Sequence, residues 1–323
     1  MLRSEKMRQL AIGVDLGGTK VSVGLLNSRG QILAMTKDSV VEFKNDPVVK
    51  MGQRALVQLI AQRIQALCHI QGFQLKARGI AGIGLASAGP LNVEEGELIQ
   101  PANFPRWKSL KIVDALKAEL KLRKMNLPIH FQNDAVAAAF AEGWIGGATK
   151  LENYAVITVG TGIGTGVIHR GRPVQFGGMG SEFGHLIVDM NKDLDSTGRD
   201  FYTSTVEGIA SGTGIMLRAK AMGSQASRLE DLEAKYKSAY AEVAPALAAL
   251  CFNLSVGFNL QKFLFSGGLM EKRQLFFPQL KQQYKKLINH WNPEFYANIE
   301  IAQAGIHAGL VGAASMVYQK GGK

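Results

Sequence analysis

Cysteine is scarce in this sequence, which contains only Cys68 and Cys251 among its 323 residues. At most one disulfide could form, so the sequence excludes a small secreted scaffold that is held together by disulfides. Both cysteines lie in apolar runs of helical character, "QALCHI" and "LAALCFNL", where a thiol is usually buried and unreactive. Such usage fits a reducing compartment, and we expect a cytoplasmic location.

Targeting and membrane-spanning signals are also lacking. The N-terminal segment "MLRSEKMRQL" has neither the apolar region nor the cleavage site of a signal peptide. The uncharged stretch "IAQAGIHAGLVGAASMVY", residues 301–318, is long enough to span a bilayer. Its polar residues and its many alanines and glycines instead favour a buried helix that packs closely on a neighbour. We therefore expect no membrane partner.

The basic residues do not form a cluster. The net charge is +11, but lysine and arginine are scattered along the chain with little aromatic interleaving. A nucleic-acid-binding surface normally concentrates its basic residues on one face. We therefore interpret the charge as a solvated basic surface and expect no nucleic-acid partner.

Two common nucleotide-binding motifs are absent. The sequence contains no G-x-x-x-x-G-K-[ST] segment, which excludes a P-loop. The segment "GTGIGTG", which starts at Gly160, resembles the dinucleotide fingerprint, but its sixth residue is Thr165 and a strand-like segment follows. A Rossmann unit requires a helix at that point, so this class is also excluded.

The residues that are present predict an α/β protein of two domains. Apolar residues make up 46% of the chain, and its length suits two domains of about 150 residues each. Residues 10–40 predict three antiparallel strands with short turns. A helix with Asp46 as its N-cap and Pro47 at its first position should follow. Strand–helix units then continue to a second strand pair that begins at residue 154.

Two segments share one plan of strand, glycine–threonine turn and strand. They are "AIGVDLGGTKVSVGLL", residues 11–26, and "AVITVGTGIGTGVIHR", residues 155–170. Their turn threonines, Thr19 and Thr161, are 142 residues apart. We interpret the segments as the openings of duplicated domains that face each other across a cleft. Two unrelated hairpins with ordinary glycine turns would produce the same similarity.

Both glycine turns have the composition of phosphate-binding loops. Glycine lets backbone N–H groups approach an anion, and threonine adds a hydroxyl donor. Asp15, just before the first turn, would repel a phosphate unless a divalent cation lies between them. Because Mg²⁺ is usually held by one or two carboxylates together with phosphates and water, we expect Asp15 to position Mg²⁺, acting through water.

Several short polar side chains lie in glycine-rich or apolar surroundings, as a polyol site requires. Sugar hydroxyls need both hydrogen-bond donors and acceptors. Asn133 and Asp134 follow a predicted strand directly before a helix, where helix capping is an alternative explanation. The other candidates are Asn103 in "PANFP", Glu182 and His185 in "GSEFGH", and Glu207 in "STVEGIASG".

Taken in order, these motifs resemble the ROK family, which comprises repressors, open reading frames and sugar kinases. The resemblance rests on "DLGGTK", "PANFPRW", "QNDAVAAA", "VGTGIGTG", "EFGH", "VEGIASG" and "FSGGL". It implies the α/β actin-like ATPase fold, with duplicated ribonuclease H-like domains and a cleft between them. We expect an N-terminal α/β domain over residues 1–130 and a C-terminal α/β domain over 131–307. A C-terminal helix over 308–320 should pack back on the first domain.

The resemblance also implies roles for the matching positions. Asp134 would be the general base that accepts the proton of the attacking sugar hydroxyl, with ATP and a hexose as substrates. The sugar ligands would be Asn103, Asn133, Glu182, His185 and Glu207. Residues that bind ATP and Mg²⁺ would be Asp15, Gly17, Gly18, Thr19, Lys20, Gly160, Thr161, Gly162, Gly267 and Gly268, the last two at the adenosine. The family also implies a homodimer.

The sequence departs from the family at its zinc site. Many members carry a Cys-x-Cys-Gly-x-x-Gly-Cys run that binds a structural zinc together with the histidine that matches His185. Here the three cysteine positions fall on Gly198, Asp200 and Thr205. Structural zinc sites usually need four thiolate or imidazole ligands, so we expect no zinc. His185 is then available to the sugar, which we favour, or to an ordinary hydrogen bond.

The substrate and the functional class have alternatives. Glucose is our first choice, while N-acetylglucosamine, N-acetylmannosamine, fructose and allose stay open, and polyphosphate could replace ATP as the donor. Family repressors carry a helix-turn-helix domain before the first strand, whereas only about ten residues precede it here, so we disfavour a DNA-binding regulator. A sugar-binding protein without catalysis would lack the base or the phosphate turns, and both are present.

Overall fold

The computed structural model describes residues 10–69, 79–101, 103–190 and 203–319, which form two compact units. The first unit runs up to Lys150 and includes Gln175–Gly180 and the chain from Gln303 onward; the second contains Leu151–Val174 and Ser181–Ala302. Residues 131–150, which the sequence analysis assigns to the C-terminal domain, fall in the first unit, where their helix packs against the last helix of the chain. We propose that these two units are the two domains.

The first unit is built on a five-stranded sheet with the strand order β3-β2-β1-β4-β8. Its strands are β1 (Leu10–Leu16), β2 (Lys20–Leu26), β3 (Ile32–Ser39), β4 (Ile80–Ser87) and β8 (Ile129–Asn133). The short strands β5 (Leu91–Asn92), β6 (Glu97–Ile99) and β7 (Ser109–Leu110) form a separate three-stranded sheet in this unit. The first three strands are antiparallel, which confirms the predicted meander, and β4 and β8 are parallel to β1. Leu16, Ser87 and Asn133 therefore end their strands side by side at one edge of the sheet. This register brings the first glycine turn and Asp134 to the same edge.

The described residues of the first unit also form five α-helices: α1 (Val41–Asn45), α2 (Val49–Cys68), α3 (Ile112–Leu122), α4 (Asp134–Ile145) and α9 (Ala308–Tyr318). The expectation that Asp46 is the N-cap of α2 is wrong, because that helix begins at Val49 with Val48 as its N-cap. The Asp46 side chain instead accepts a hydrogen bond of 2.7 Å from the N–H of Val48, which stabilises the turn before the helix.

Glycines allow α9 to pack closely on the sheet and on α4. A Cβ atom at Gly84 would overlap the carbonyl oxygen of Ala313, and a Cβ atom at Gly312 would overlap that of Ala137. No larger residue fits at either position. The interpretation of residues 301–318 as a closely packed, buried helix is therefore confirmed for Ala308–Tyr318.

The second unit repeats the sheet of the first. Its strand order is β11-β10-β9-β12-β13, again with three antiparallel strands followed by two that are parallel to the central strand. Its strands are β9 (Tyr154–Val159), β10 (Ile163–His169), β11 (Arg172–Pro173), β12 (Lys262–Ser266) and β13 (Asn298–Ile301). The repeated order confirms the expectation of a duplicated α/β fold. The strand that follows "GTG" also confirms that this segment is not a Rossmann turn.

Within the described residues, the α-helices of the second unit are α5 (Val206–Ala210), α6 (Gly212–Ala221), α7 (Val243–Phe258) and α8 (Phe277–Trp291). Among the described residues one helical stretch, Ala234–Phe258, is long and apolar enough to cross a membrane, and half of its most apolar window is buried inside the protein. Because α7 contributes Val243, Leu247 and Leu254 to the core of this unit, we interpret it as a core helix.

Both cysteines are buried and unpaired. Burial raises the pKa of the Cys68 thiol to about 11 and the pKa of Cys251 well above its ordinary value. A thiol with a raised pKa holds little nucleophilic thiolate at neutral pH. The expectation of two inert thiols is confirmed.

Candidate active site

The first glycine turn, Gly17–Thr19, connects β1 to β2 and exposes two backbone N–H groups. In the described part of the chain, the N–H groups of Gly18 and Thr19 donate to no protein atom. Thr19 is exposed and Gly18 is partly exposed, so both groups are accessible to a ligand. Adjacent free N–H groups of this kind form an anion-binding concavity.

The carbonyl oxygens of the first turn have partners on the segment that follows β3. The N–H of Val40 donates to the carbonyl oxygen of Thr19 at 3.0 Å. The ammonium group of Lys44 donates to the carbonyl oxygen of Gly18 at 2.9 Å. The sequence analysis missed this contact of Lys44 with the turn, because Lys44 lies outside every motif.

Asn103 lies directly against the first turn. A Cβ atom at Gly18 would come within 2.7 Å of the Asn103 side-chain amide, so a larger residue there would have to displace the Asn103 side chain. The "PANFPRW" segment anchors Asn103 through Phe104 and Trp107, which are buried and stack with their ring centroids 4.4 Å apart. A candidate sugar ligand and a candidate phosphate turn are thus in contact within the first unit.

Asp134 is the first residue of α4, and Asn133 is the N-cap. The Asn133 side-chain oxygen accepts hydrogen bonds from Ala135 N at 2.9 Å and from Val136 N at 3.3 Å, so capping occupies its oxygen and leaves its NH₂ group for a ligand. Burial raises the pKa of Asp134, although a hydrogen bond from Ala135 N opposes this shift. A raised pKa suits a carboxylate that must accept a proton near neutral pH.

Asp15 is the penultimate residue of β1, next to the same sheet edge. Burial and, to a smaller extent, the negative charge of Asp134 raise its pKa to about 6, and the positive charge of Lys37 opposes this shift. The carboxylate also rests on α9, because a Cβ atom at Gly309 would come within 2.8 Å of an Asp15 carboxylate oxygen. Two carboxylates whose charges disfavour each other fit a divalent cation, which would compensate both.

Gln132 links the strand that carries Asn133 to a distant segment of the first unit. Its side-chain oxygen accepts from Asn133 N at 2.8 Å, and its NH₂ group donates to the Gln175 side-chain oxygen at 3.2 Å. Gln175 begins the segment 175–180, which is bound to the first unit by a hydrogen bond of 2.9 Å from Val93 N to Gly178 O. Gln132 is 4% exposed, so this contact is internal.

Glu142 fixes the chain that leads into α9. It is fully buried on α4, and its Oε1 accepts from Gln303 N at 2.7 Å and from Ala304 N at 2.6 Å. Its Oε2 accepts from Gly147 N at 2.7 Å. Since α9 supplies the glycine beside Asp15, these bonds support the site from within the first unit. The sequence analysis missed Glu142 because a single glutamate in a helix has no motif.

The second glycine turn, Gly160–Gly162, connects β9 to β10 and is bound by the start of α6. The N–H of Gly212 donates to Gly160 O at 2.8 Å, and the N–H and hydroxyl of Thr213 donate to Thr161 O at 3.2 Å and 2.8 Å. Inside the turn, Gly160 N donates to Gly162 O at 2.9 Å. Helix α6 therefore shapes this turn with neutral donors.

A cavity of about 630 Å³ opens beside the second turn. It brings together the predicted residues Gly160, Thr161 and Gly268. Gly267 precedes Gly268 with a φ of 98°, which confirms that a glycine turn follows β12. The sequence analysis missed the rest of the lining, which includes the apolar Met216, Leu217 and Leu229, the basic Lys220, Arg228 and Lys272, and the acidic Glu230 and Glu271. The Arg228 side chain is paired with Glu230 at 3.0 Å. Apolar side chains together with charged groups of both signs suit a ligand that has an apolar part and a polar part.

The remaining candidate sugar ligands lie on the second unit. Glu207 is 9% exposed, and its Oε2 accepts from Ile163 N at 2.6 Å, directly after the second turn. Glu182 directly precedes a short 3₁₀ helix, and His185 is the last residue of that helix. Both side chains are exposed. Lys20, at the start of β2 in the first unit, is also exposed. The sugar-binding roles of Glu207, Glu182 and His185 stay predictions, as does the role of Lys20 in binding ATP.

The expectation about zinc stays a prediction. Among the residues that the structure describes, no group of three or more His, Cys, Asp or Glu side chains could hold a metal ion. Two of the three positions that replace the family's cysteines, Gly198 and Asp200, lie outside the described residues. Thr205 is the N-cap of α5 and accepts a hydrogen bond from Gly208 N.

Comparison with known proteins identifies relatives along nearly the whole chain. A family model described as ROK family matches residues 11–320. A glucokinase of Thermotoga maritima is 27% identical over 96% of this chain and 97% of its own length. A glucokinase of Streptomyces coelicolor is 29% identical over 95% of this chain and 97% of its own length. An N-acetylmannosamine kinase of Haemophilus influenzae is 28% identical over 96% of this chain and 95% of its own length.

Solved structures share the fold. A ROK hexokinase from Thermus thermophilus superposes with a TM-score of 0.76 at 24% identity, covering 96% of this chain and 98% of its own. A ROK family glucokinase from Streptomyces griseus, in complex with glucose and AMPPNP, superposes with a TM-score of 0.72 at 24% identity, covering 96% of this chain and all of its own. These neighbours have the actin-like ATPase fold, which confirms the expected fold class.

Proposed function

Since this chain belongs to the ROK family and is a sugar kinase, we propose that it transfers the terminal phosphoryl group of ATP to a hexose, most favourably glucose. The observation that carries the proposal is the arrangement in the first unit. There the first glycine turn touches Asn103, and the charge of Asp134 acts on Asp15. Phosphate donors, a sugar ligand and a carboxylate base are the parts that phosphoryl transfer to an alcohol needs.

Asp134 acts as the general base in this proposal. Its raised pKa brings the carboxylate closer to the pKa of a base that works near neutral pH. The hydroxyl that attacks phosphorus gives its proton to the Asp134 carboxylate as the new P–O bond forms. General-base assistance of this kind contributes about 10² to 10⁴ in rate.

The glycine turns bind the phosphates in this proposal. The free N–H groups of Gly18 and Thr19 would donate to oxygens of the transferred group, and the second turn would hold the phosphates nearer to the adenosine. The cavity beside the second turn would take the nucleoside, with Gly268 in its lining. Support comes from the Streptomyces griseus glucokinase, which was solved with glucose and AMPPNP.

Mg²⁺ fits the residues of the first unit. Asp15 carries an unfavourable negative charge beside a second carboxylate, which a divalent cation would relieve. Asp15 would hold Mg²⁺ through water, and the ion would neutralise charge on the phosphates. Gly309 leaves the space that this carboxylate occupies.

The experiment that tests the proposal is a coupled ADP-release assay over a panel of sugars. The panel contains glucose, fructose, allose, mannose, N-acetylglucosamine and N-acetylmannosamine, each with ATP or polyphosphate as the donor. We expect the highest kcat/KM with glucose and ATP. Sugar-independent ADP release, or none with any sugar from a folded preparation, would contradict the proposal.

Other substrates have support among the relatives. A fructokinase of Pediococcus pentosaceus is 26% identical over 72% of this chain, and an N-acetylmannosamine kinase is also similar. A higher kcat/KM with fructose or with an N-acetylhexosamine would move the assignment to that sugar and keep the mechanism. The regulator alternative predicts a salt-resistant gel shift, which we do not expect. We further propose a cytoplasmic location, on the scarcity of cysteine, and a homodimer, on the family resemblance alone.

A further inference from the structure

The two glycine turns differ in what binds the carbonyl oxygen of the glycine before the threonine. In the second turn, Gly160 O accepts from the backbone N–H of Gly212. In the first turn, Gly18 O accepts from the ammonium group of Lys44. The threonine carbonyl accepts a backbone N–H in both turns. A neutral donor therefore suffices to shape such a turn, and the charge of Lys44 needs another explanation.

Local structure directs Lys44 onto the turn. The N–H of Val40 is bound to Thr19 O, and α1 begins at the next residue. One helical turn later, Lys44 N donates to Val40 O at 3.2 Å, so Lys44 stacks above a residue that is itself attached to the first turn. The lysine side chain then spans only the remaining distance to Gly18 O.

Lys44 has no carboxylate partner. Across the ranges that the structure describes, no carboxylate oxygen lies within 4.0 Å of its ammonium nitrogen, and its one hydrogen-bond acceptor is the neutral carbonyl of Gly18. The side chain is partly buried, and within the described ranges no carboxylate neutralises its charge. A cation without a carboxylate partner, beside two free N–H groups, favours the binding of a strongly anionic group.

We propose that Lys44 is a positioning residue for the phosphoryl group that is transferred; this inference rests on the proposed function. In a trans peptide the C=O and N–H groups point in opposite directions. By binding Gly18 O, Lys44 therefore turns the Thr19 N–H away from itself, toward the face of the turn that is open to a ligand. Its charge also polarises that peptide and strengthens the N–H as a donor to negative charge that develops during transfer.

The test compares Lys44→Met with Lys44→Arg and with Lys50→Met, a matched control at an exposed lysine of α2. Steady-state rates are measured with ATP and the best sugar of the panel, and thermal unfolding is followed in parallel. We expect Lys44→Met to lower kcat by about 10² and to change the KM for the sugar by less than about threefold, as for loss of a donor to a transition state. Lys44→Arg should recover at least about a tenth of the wild-type kcat, because it keeps the charge.

The outcomes separate this inference from the proposed function. A wild type that phosphorylates no sugar would remove the proposed function and this inference with it. An active wild type with an equally active Lys44→Met variant would overturn this inference alone. Equal losses in Lys44→Met and Lys44→Arg, with unfolding temperatures lowered together, would also overturn it, because they would show that Lys44 acts only on folding. Lys50→Met should match the wild type in every measurement.

Discussion

The two units repeat one sheet but differ in the charged groups around their glycine turns. The first turn is surrounded by Asp15, Asp134 and Lys44, of which both carboxylates have raised pKa values. The second turn is shaped by neutral donors from α6 and borders a wide cavity. From this difference we infer that the two copies of the sheet have different functions. In this inference the first unit performs the chemistry and the second binds the nucleotide.

The largest expected effect tests the chemical role of the first unit. Asp134→Asn removes the base but keeps the shape of the side chain, so kcat should fall by at least about 10² while sugar binding and thermal stability persist. Steady-state kinetics and sugar titration check this, with Asp114→Asn on the exposed face of α3 as the control. Near-normal turnover in Asp134→Asn would exclude the base assignment.

The pH profile of the wild type adds a second readout for Asp134. The base must be ionised, so kcat/KM should fall as the pH is lowered through the pKa of Asp134. Because burial raises that pKa, the fall should begin above the range of an ordinary aspartate. An acid limb at the ordinary value would contradict the burial of a functional carboxylate here.

A smaller effect is expected for Asp15→Asn, which should lower kcat/KM by about 10- to 100-fold and weaken the dependence on Mg²⁺, as for other groups that act through water on a metal.

The same change should stabilise the metal-free protein at pH 8. Folding raises the pKa of Asp15 to about 6, so the folded state favours the protonated carboxyl group more than the unfolded state does. The folded wild type is therefore destabilised as the pH rises through the folded pKa. We expect the free energy of unfolding of Asp15→Asn to exceed that of the wild type by about 1–2 kcal/mol. This figure is smaller than the full pKa shift would give, because solvent reaches the partly buried carboxyl group.

Thermal unfolding in EDTA checks the stability of Asp15→Asn. The variant should melt about 2–4 °C above the wild type at pH 8. The two should melt at the same temperature near pH 3, below the ordinary aspartate pKa of 3.8, where the Asp15 carboxyl is mostly protonated in both the folded and the unfolded state. A variant that is less stable at pH 8 would show that the Asp15 charge is compensated within the protein, and the metal assignment would lose its basis.

The smallest effect is expected in the second unit. Thr213→Val removes one hydrogen bond to Thr161 O and keeps the backbone bond of the same residue. One neutral hydrogen bond is worth about 1 kcal/mol, so the KM for ATP should rise about fivefold with kcat nearly unchanged. A large loss of kcat with no change in the KM for ATP would contradict the inference that the first unit performs the chemistry and the second binds the nucleotide.

Much of the fold could be predicted because its signals are local. Alternating apolar residues and glycine turns in residues 11–26 and 155–170 determine two similar hairpins, and the sheets of both units repeat around them. The start of α2 could not be read correctly, because Asp46 and Pro47 have the composition of a helix start but stabilise the preceding turn instead. A capping residue specifies a turn of some kind, and only the tertiary contacts decide which one.

The candidate site was predictable only where it follows a motif. Asn103, Asp134 and the two turns stand in ordered, recognisable segments. Lys44 binds one backbone carbonyl and Glu142 binds backbone N–H groups of residues 303 and 304, all distant in sequence, and nothing in "VVEFKND" or "FAEGW" distinguishes these two side chains from surface residues. Helix α1 has five residues, which is too short for a periodic pattern to reveal it.

The most direct test of the central claim is the crystal structure of a complex with glucose and a non-hydrolysable ATP analogue. Our account predicts a sugar hydroxyl about 3 Å from the Asp134 carboxylate, and terminal phosphate oxygens at a similar distance from the N–H groups of Gly18 and Thr19. A complex in which Asp134 points away from the sugar, or in which no phosphate contacts the first turn, would contradict it.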